Sequence, residues 1–343
     1  MRAISAADAV SLAVQRTRDF LFRPFNWGSY LKLGLVAIVT EGLFSNPRSS
    51  SSHGSQPSGQ GPMNLAPFHF PAQWIVMALF ALALAAVVFL TVFYLVTRLR
   101  FAYFHCLIHN TRGIGPGWLF YRDQARRFFQ LNVVVGICYL LLMGLSAIPF
   151  IGGFVRLYHQ IQGAGHPDIG LILSLFLPLI PLAILFVLTG VLSDIVLRDW
   201  ILPHYALDNA TASEAWSRVW AAFRAETTQF VVYIVLRLIL PTIVMIGVFV
   251  LMLLPGLALA GSLAAVEFGL HSAFADAAGA SSLVGILLQV FFGVLAFGFA
   301  VLAGICIGGP VSTGIREYAI VFYGGRYPTL SNILYPPVPS TPV

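Results

Sequence analysis

Residues 197–244 read LRDWILPHYALDNATASEAWSRVWAAFRAETTQFVVYIVLRLILPTIV and join three kinds of segment in a row. Charged residues at the end of one apolar segment come first. A short amphipathic helix follows, and the next apolar segment begins after it. Residues 99–143 show the same order earlier in the chain. Repetition of one pattern is typical of architectures that are built from repeated structural units. The matched pairs are Leu99 and Leu197, Arg100 and Arg198, His105 and His204, Asn110 and Asn209, Trp118 and Trp216, and Gln130 and Gln229.

The composition excludes an ordinary soluble domain. Hydrophobic residues make up 58% of the 343 residues and charged residues 9%, with a mean hydropathy of +0.86, whereas about 25% charged residues is usual for a soluble domain. The net charge of +6 would also suit nucleic-acid binding, but the basic residues stand beside apolar segments. We therefore expect anionic phospholipids as partners and no nucleic acid.

Six apolar segments predict an all-α integral membrane protein with six transmembrane helices, because about 20 consecutive apolar residues span a bilayer. The first segment is imperfect, since it contains Lys32 and Glu41. Residues 45–70, rich in Ser, Gly and Pro, predict a disordered loop, and the Pro-rich tail 327–343 predicts a disordered end. The predicted spans are 27–44, 74–97, 131–150, 169–196, 229–260 and 283–307, with connections at 152–168 and 261–282.

An amphipathic helix is predicted before the first, third and fifth spans. Residues 5–22 and 117–128 place apolar residues on one side at helical spacing and charges on the other, and a third such helix begins at Thr211. This pattern is typical of interfacial helices that lie flat on a membrane, here on its cytoplasmic side. The helices and spans predict a single membrane domain, 1–343, of three parallel repeat units. These units are roughly 5–98, 99–196 and 197–308.

Short local patterns predict helix starts and helix contacts. Ala300, Gly304 and Gly308 follow the small-residue spacing that lets two helix backbones approach closely. A hydroxyl followed three residues later by a carboxylate is typical of a capped helix start. This pattern occurs at Ser5 with Asp8 and again at Thr211 with Glu214.

The arginines lie mostly on one side of the predicted spans. The segments that contain the amphipathic helices and both termini hold most of them, whereas the opposite loops hold Arg48 and Arg156. Under the positive-inside rule, this distribution predicts a multi-pass protein of the bacterial inner membrane with both termini in the cytoplasm. An even number of crossings follows from that orientation.

Lys32, Glu41, Asp194 and Arg237 are ionisable residues inside the predicted spans. Charges at such depth are costly to bury and therefore indicate a binding site or a solute pathway. One interpretation is an internal basic site for a lipid phosphate or an anionic solute. The other interpretation is structural, with Arg237 paired to Asp194 and Lys32 extended towards the headgroups.

Three histidines are candidate ligands for a metal ion. His105 and His109 lie four residues apart, which places both on one helical face, and His204 matches His105 in the repeat. Asp208 would add a fourth ligand, but Phe322 stands near the corresponding position of the third unit. We predict no metal and no cofactor. The sequence also lacks the GxSxG, HExxH and phosphate-binding glycine motifs, so the residues predict no enzymatic activity.

The motif EAWxRxWxxF occupies residues 214–223, after the exit that contains Arg198 and Pro203, and Arg316 stands in the last unit. This arrangement resembles the membrane domain of bacterial glycerophosphoryl diester phosphodiesterases and a wider group of six-helix bacterial membrane proteins. In those enzymes a separate soluble barrel performs hydrolysis. The sequence contains no such barrel, so the resemblance implies a membrane module without catalytic residues.

Two functions remain open at the level of sequence. The first is a non-enzymatic module that binds lipid or a partner protein through arginines of the amphipathic helices. The alternative is a permease or channel for a small anionic or amphipathic solute, with Lys32 and Arg237 along its route. A water-reachable cavity that contains both side chains without carboxylate partners would favour the alternative. The arginines expected at headgroups are Arg122, Arg126, Arg127, Arg218 and Arg224.

The predicted orientation can be tested with fusions after Val343. We expect a fluorescent protein at this position to be bright and an alkaline phosphatase to be inactive, because both would lie in the cytoplasm. A phosphatase inserted within residues 45–70 serves as the control and should be active. The reverse pair of activities would contradict the predicted orientation.

Overall fold

The computed structural model describes residues 4–42, 72–164, 169–274 and 280–336, and their regular secondary structure is helical throughout. The predicted all-α class is therefore confirmed for the described residues. The predicted loop 45–70 lies outside them. The helices are α1 (Ala6–Phe22), α2 (Trp27–Gly42), α3 (Ala72–Ile108), α4 (Ile114–Phe120), α5 (Arg122–Ala164), α6 (Ile169–Ile195), α7 (Leu202–Leu207), α8 (Ala212–Ala225), α9 (Thr227–Phe274), α10 (Ala280–Gly324) and α11 (Pro328–Leu334), with a π-helical turn at Val196–Ile201.

Five candidate membrane spans occur among the described residues, judged by the length and composition of the helices. The remaining predicted span, 27–44, which is the first in the chain, corresponds to α2, which has 16 residues. A helix of that length measures about 24 Å, less than the roughly 30 Å of a bilayer core. Six crossings are therefore not confirmed. The candidate spans are Val76–Ile108, Arg122–Ile161, Ile169–Leu207, Thr227–Leu254 and Val284–Gly324.

Several predicted helix boundaries are wrong because a change from polar to apolar residues does not end a helix. The predicted helix 117–128 and the span after it are not separate, since α5 runs without interruption from Arg122 to Ala164. The predicted connections 152–168 and 261–282 are likewise largely helical, in α5 and α9. With 48 residues, α9 is about 72 Å long, longer than a whole bilayer of about 40–45 Å.

The predicted disordered tail is also partly ordered. Residues 328–334 form α11, with Leu330 fully buried and Leu334 nearly so. Residues 337–343 lie outside the described part of the chain. Apolar side chains within the Pro-rich segment therefore give α11 a face that packs on the protein.

Both predicted helix caps are confirmed. The Asp8 amide donates to the Ser5 hydroxyl at 3.1 Å, which closes the first turn of α1. At the start of α8 the Glu214 amide donates to the Thr211 hydroxyl at 3.4 Å, and the Thr211 amide donates to the Glu214 carboxylate at 3.0 Å. This reciprocal pair is a capping box, which satisfies two backbone donors that the helix itself leaves unpaired.

Two asparagines that match in the predicted repeat share an uncommon backbone conformation. Asn110 has φ 51° and Asn209 has φ 54°, and each follows a helix end. Asparagine adopts this left-handed region more readily than other residues with side chains, which suits it to helix ends. The agreement concerns this one position, and the three-unit repeat stays a prediction.

The described helices belong to two compact units. Unit 1 comprises Met1–Leu43, Tyr103–Ile114 and Arg218–Val343. In it α1 packs its buried face against α9 and α10, and α2 packs against α10. The aromatic core of unit 1 is stacked, with the Tyr233 ring 4.3 Å from that of Phe322 and 5.0 Å from that of Tyr318.

Unit 2 comprises Phe44–Ala102 and Gly115–Ser217. Its core is aromatic, since the Phe128 ring lies 5.5 Å from the Phe101 ring and 5.4 Å from the Tyr205 ring. The Tyr139 hydroxyl donates to the Phe186 carbonyl at 2.6 Å and joins α5 to α6. The boundaries of the two units do not coincide with those of the predicted repeats, because the first repeat is divided between the units.

The closest helix contact of unit 1 involves glycines of α2 and α10. A Cβ atom on Gly309 would lie 2.7 Å from the Gly34 Cα, and one on Gly308 would lie 3.0 Å from the Ile38 side chain. The predicted small-residue contact is correct only at its Gly308 end, because Ala300 and Gly304 are exposed. Glycine at position 309 is needed because the opposing atom belongs to the backbone and cannot rotate away.

Replacement of Gly309 by Ala should destabilise the α2–α10 contact by about 1–3 kcal/mol, the usual cost of overpacking. Gly304→Ala in the same helix is the matched control, because its Cβ would meet nothing within 4 Å. That control should be neutral or stabilising by up to about 1 kcal/mol, since Ala favours helix over Gly. Thermal unfolding in detergent measures both variants. Equal shifts in melting temperature would contradict the importance of the glycine contact.

Candidate functional site

Arg237 and Glu41 form a buried ion pair between α9 and α2. The Arg237 Nη2 atom lies 3.1 Å from the Glu41 Oε2 atom, and the two side chains are 11% and 6% exposed. The predicted pairing of Arg237 with Asp194 is therefore wrong. Asp194 lies 2.9 Å from the Arg198 Nη2 atom. Which carboxylate meets an arginine depends on helix packing, which spacing along the chain does not reveal.

Lys32, the second predicted basic residue, is exposed on α2, next to the buried Leu33. Its side chain therefore lies on the outer face of the helix, whereas Arg237 and Glu41 are buried. The permease hypothesis required both cations to line a cavity without carboxylate partners. The closed pair between Arg237 and Glu41 argues against that arrangement.

Asp194 precedes the π-helical turn at Val196–Ile201, which no sequence pattern had predicted. Arg198, Asp199 and Trp200 lie in this turn and are each at most 3% exposed. Asp194 and Arg198, four residues apart, form an ion pair with each other within unit 2.

The histidines do not form a metal site with their neighbours. The predicted proximity of His105 and His109 is confirmed, with ring centroids 4.4 Å apart. The His204 Nδ1 atom lies 3.7 Å from the Asp208 carboxylate. No group of three or more His, Cys, Asp or Glu side chains within the described ranges is arranged to hold a metal ion.

Two further ion pairs of unit 1 were not predicted. The Arg16 Nε atom lies 2.9 Å from the Glu317 carboxylate, whose side chain is 1% exposed. The Arg326 Nη2 atom lies 2.7 Å from Glu226, and its guanidinium lies 4.0 Å from the centre of the Phe322 ring. These contacts join α1 to α10 and the end of α10 to the start of α9. The sequence shows the charged residues but contains no signal for their partners.

The five arginines predicted at headgroups are all exposed, on α5 and α8. Arg127 donates to the Asn209 side chain, and the Arg224 guanidinium lies 5.1 Å from the centre of the Trp220 ring. Tyr121 directly precedes Arg122, and burial raises the pKa of its phenol, which therefore adds no charge beside these arginines. The arginines are Arg122, Arg126, Arg127, Arg218 and Arg224.

Large apolar side chains are exposed next to these arginines. In α4, just before α5, Leu119 is 75% and Phe120 is 68% exposed, and in α8 Trp216 is 53% exposed. The opposite face of α8 is occupied by the buried Ala215 and Val219. The helix therefore has one apolar face packed on protein, and further apolar side chains among the exposed arginines. Trp216 therefore does not share the packed face of α8 with Ala215 and Val219.

An apolar crevice in unit 1 was also not predicted. Residues 10–22 of α1, 240–244 of α9 and 310–318 of α10 enclose about 300 Å³. We call this space the α1 crevice. Its lining is apolar apart from Arg18, Thr17 and the Tyr318 hydroxyl group. The apolar residues on one side of α1 were recognisable in the sequence. Their spacing does not reveal that part of this side faces a cavity.

The helical fold of the described residues and the five long apolar helices among them are compatible with a multi-pass membrane protein. The chain belongs to a family described as "Family of unknown function (DUF7544)", which it matches over residues 4–333. No curated protein and no solved structure matches the chain. The resemblance to the membrane domain of glycerophosphoryl diester phosphodiesterases stays a prediction.

The Arg237–Glu41 pair predicts how the free energy of unfolding changes in a single and in a double variant. Glu41→Gln should cost roughly 3–5 kcal/mol, because it leaves the Arg237 charge buried without its carboxylate. Adding Arg237→Gln should recover part of this loss, since the double variant no longer buries a charge. The measurement is thermal unfolding of the purified protein in detergent.

Asp19→Asn is the matched control for this pair. Asp19 pairs with Arg23 at 3.5 Å, but the two side chains are 45% and 69% exposed. An exposed pair contributes about 0–1 kcal/mol, so this variant should unfold almost like the parent. A Glu41→Gln variant as mild as Asp19→Asn would show that the buried pair does not stabilise unit 1.

Proposed function

We propose that this protein is a non-enzymatic inner-membrane protein that binds anionic phospholipid headgroups through the arginines of α5 and α8. One observation carries the proposal: exposed arginines stand next to exposed aromatic and aliphatic side chains on α4, α5 and α8. Water alone does not favour this combination, because exposed apolar area costs free energy. The boundary between headgroups and acyl chains favours both parts of it.

The charges on these helices suit phosphate groups. Arginine offers several N–H donors in a plane and matches phosphate oxygens in pairs. Each arginine close to an anionic membrane surface contributes about 1 kcal/mol to binding. Trp220, whose ring lies 5.1 Å from the Arg224 guanidinium, adds an aromatic surface of the kind that concentrates at headgroup level.

The two-sided character of α8 supports contact with lipid. Ala215 and Val219 already supply the apolar contact that holds the helix to the protein. Trp216 and Trp220 are therefore not needed for that attachment and remain exposed. In the proposed arrangement they lie among acyl chains at the membrane surface, while Arg218 and Arg224 meet headgroups.

The proposal includes the orientation predicted from the sequence, with both termini in the cytoplasm. Anionic lipids give the cytoplasmic leaflet a negative surface, which attracts arginine-rich helices. An acidic partner protein would satisfy the same charges, so the experiment has to distinguish lipid from protein. We do not propose the permease alternative. It depended on an Arg237 side chain without a carboxylate partner, and Arg237 is paired with Glu41.

The test replaces Arg122, Arg126, Arg218 and Arg224 by Gln and leaves Arg127, which donates to Asn209. The parent protein is reconstituted into vesicles that contain equal amounts of phosphatidylglycerol and phosphatidylcholine and is then extracted. The lipid that remains bound to it should be mainly phosphatidylglycerol. The fourfold variant should lose this enrichment, at about 1 kcal/mol per removed charge. Mass spectrometry of the retained lipids measures the effect.

Two controls separate charge from folding. The same four positions changed to Lys keep the charge and should keep the enrichment. Arg156→Gln removes an equally exposed arginine far along α5 and should change nothing. An unchanged lipid profile in the fourfold Gln variant would contradict the proposal. Loss of a co-purifying acidic protein in that variant, with the lipids unchanged, would assign the surface to a protein partner instead.

A further inference from the structure

The α1 crevice opens at one side of unit 1 and is bounded by three helices. Two of them, α9 and α10, contribute residues 240–244 and 310–318, which belong to candidate membrane spans. The volume of about 300 Å³ is at the lower end of the range for ligand pockets, roughly 300–1,000 Å³. A slender apolar chain suits this space better than a globular ligand.

The third wall presents a cation among apolar side chains. Val14, Arg18 and Phe22 are spaced four residues apart on α1 and all line the crevice, because residues at this spacing share one helix face. Val14 is 61% and Phe22 is 44% exposed, so this wall is accessible from outside. No hydrogen bond or ion pair joins Arg18 to another of the described residues. Its guanidinium is therefore available to an anion at the crevice.

A cluster of aromatic side chains adjoins Phe22, which lines the crevice. The Phe22 ring lies 5.6 Å from the Tyr30 ring, and the Phe25 ring lies 5.1 Å from that of Trp27. Trp27 is also largely exposed. Exposed Trp and Tyr concentrate at the headgroup level of membranes. Phe22 belongs to this cluster and follows Arg18 by one turn of α1, so in the site proposed below Arg18 would lie close to the level of the lipid phosphates.

The apolar walls include a proline from each long helix. Pro241 and Pro310 both line the crevice, and a proline lacks the amide that would bond to the carbonyl four residues earlier. For Pro310 that carbonyl belongs to Cys306, and the Tyr30 hydroxyl donates to it at 2.6 Å. Pro310 therefore contributes apolar surface to the crevice, and the Cys306 carbonyl that it leaves without its helical donor still accepts a hydrogen bond.

We infer that the α1 crevice binds one acyl chain of an anionic phospholipid whose phosphate contacts Arg18. Charge complementarity at Arg18, the aromatic cluster at its level and the apolar walls on α9 and α10 all match this one ligand. The site is independent of the arginines of α5 and α8, so it goes beyond the function proposed above.

The test uses the full chain in nanodiscs that contain a photoactivatable lipid with a diazirine in its acyl chain. Three lipids are compared: phosphatidylglycerol, phosphatidylcholine and a fatty acid. We expect phosphatidylglycerol to label peptides of residues 10–22, 240–244 and 310–318. Arg18→Gln should reduce that labelling about fivefold, the effect of one surface arginine, and Arg18→Lys should retain most of it.

Matched variants on α1 separate the crevice from the general surface. Val14→Trp fills the opening and should abolish the labelling, whereas Gln15→Trp, exposed on the same helix outside the crevice lining, should leave it unchanged. Arg23→Gln removes a nearby charge outside the crevice lining and should also have no effect. The fourfold Gln variant of α5 and α8 should label like the parent, which keeps this test distinct from that of the proposed function.

Several results would overturn the inference. Equal labelling by phosphatidylglycerol and phosphatidylcholine, unchanged in Arg18→Gln, would show that the charge recognises no headgroup. Labelling spread evenly over the exposed faces of α3 and α6 would show surrounding lipid without a discrete site. Equal labelling by the fatty acid would exclude a phospholipid as the specific ligand. Cross-links between two copies through α1, lost in Val14→Trp, would assign the crevice to a second copy of the chain.

Discussion

Charge that is buried in an apolar interior requires a partner of opposite charge, because the isolated ion loses its hydration without compensation. Unit 1 meets this requirement with ion pairs that join segments far apart in the chain. An arginine without its carboxylate would destabilise the unit, so these pairs restrict how its helices can be arranged. They are Arg16 with Glu317, Arg237 with Glu41 and Arg326 with Glu226.

The same constraint divides the arginines into two groups with different uses. Buried arginines such as Arg237 are engaged inside the protein and are unsuited to binding a solute. Exposed arginines such as Arg224 and Arg18 remain accessible beside aromatic side chains. A residue type that looked uniform in the sequence therefore serves both the internal stability of unit 1 and the proposed contacts with lipid.

Local features of the fold were predictable because they depend on residues that are close in sequence. The hydroxyl and carboxylate of Thr211 and Glu214 lie within one helical turn, so the cap could be predicted directly. The boundaries of α5 were not predictable, since helix propensity continues across the change from polar to apolar residues at its start. The candidate site divides in the same way: exposure of the arginines on α5 and α8 followed from helical periodicity, whereas the α1 crevice did not.

The sequence by itself determined the helical class, the apolar segments long enough to cross a membrane and the arginine-rich helices, because composition and periodicity act locally. Only the tertiary structure decided that Arg237 meets Glu41, that Gly309 crosses Gly34 and that Arg18 stands at an apolar crevice. These contacts join residues separated by most of the chain. Their choice depends on how whole helices pack, since the charge or size of one residue permits many partners.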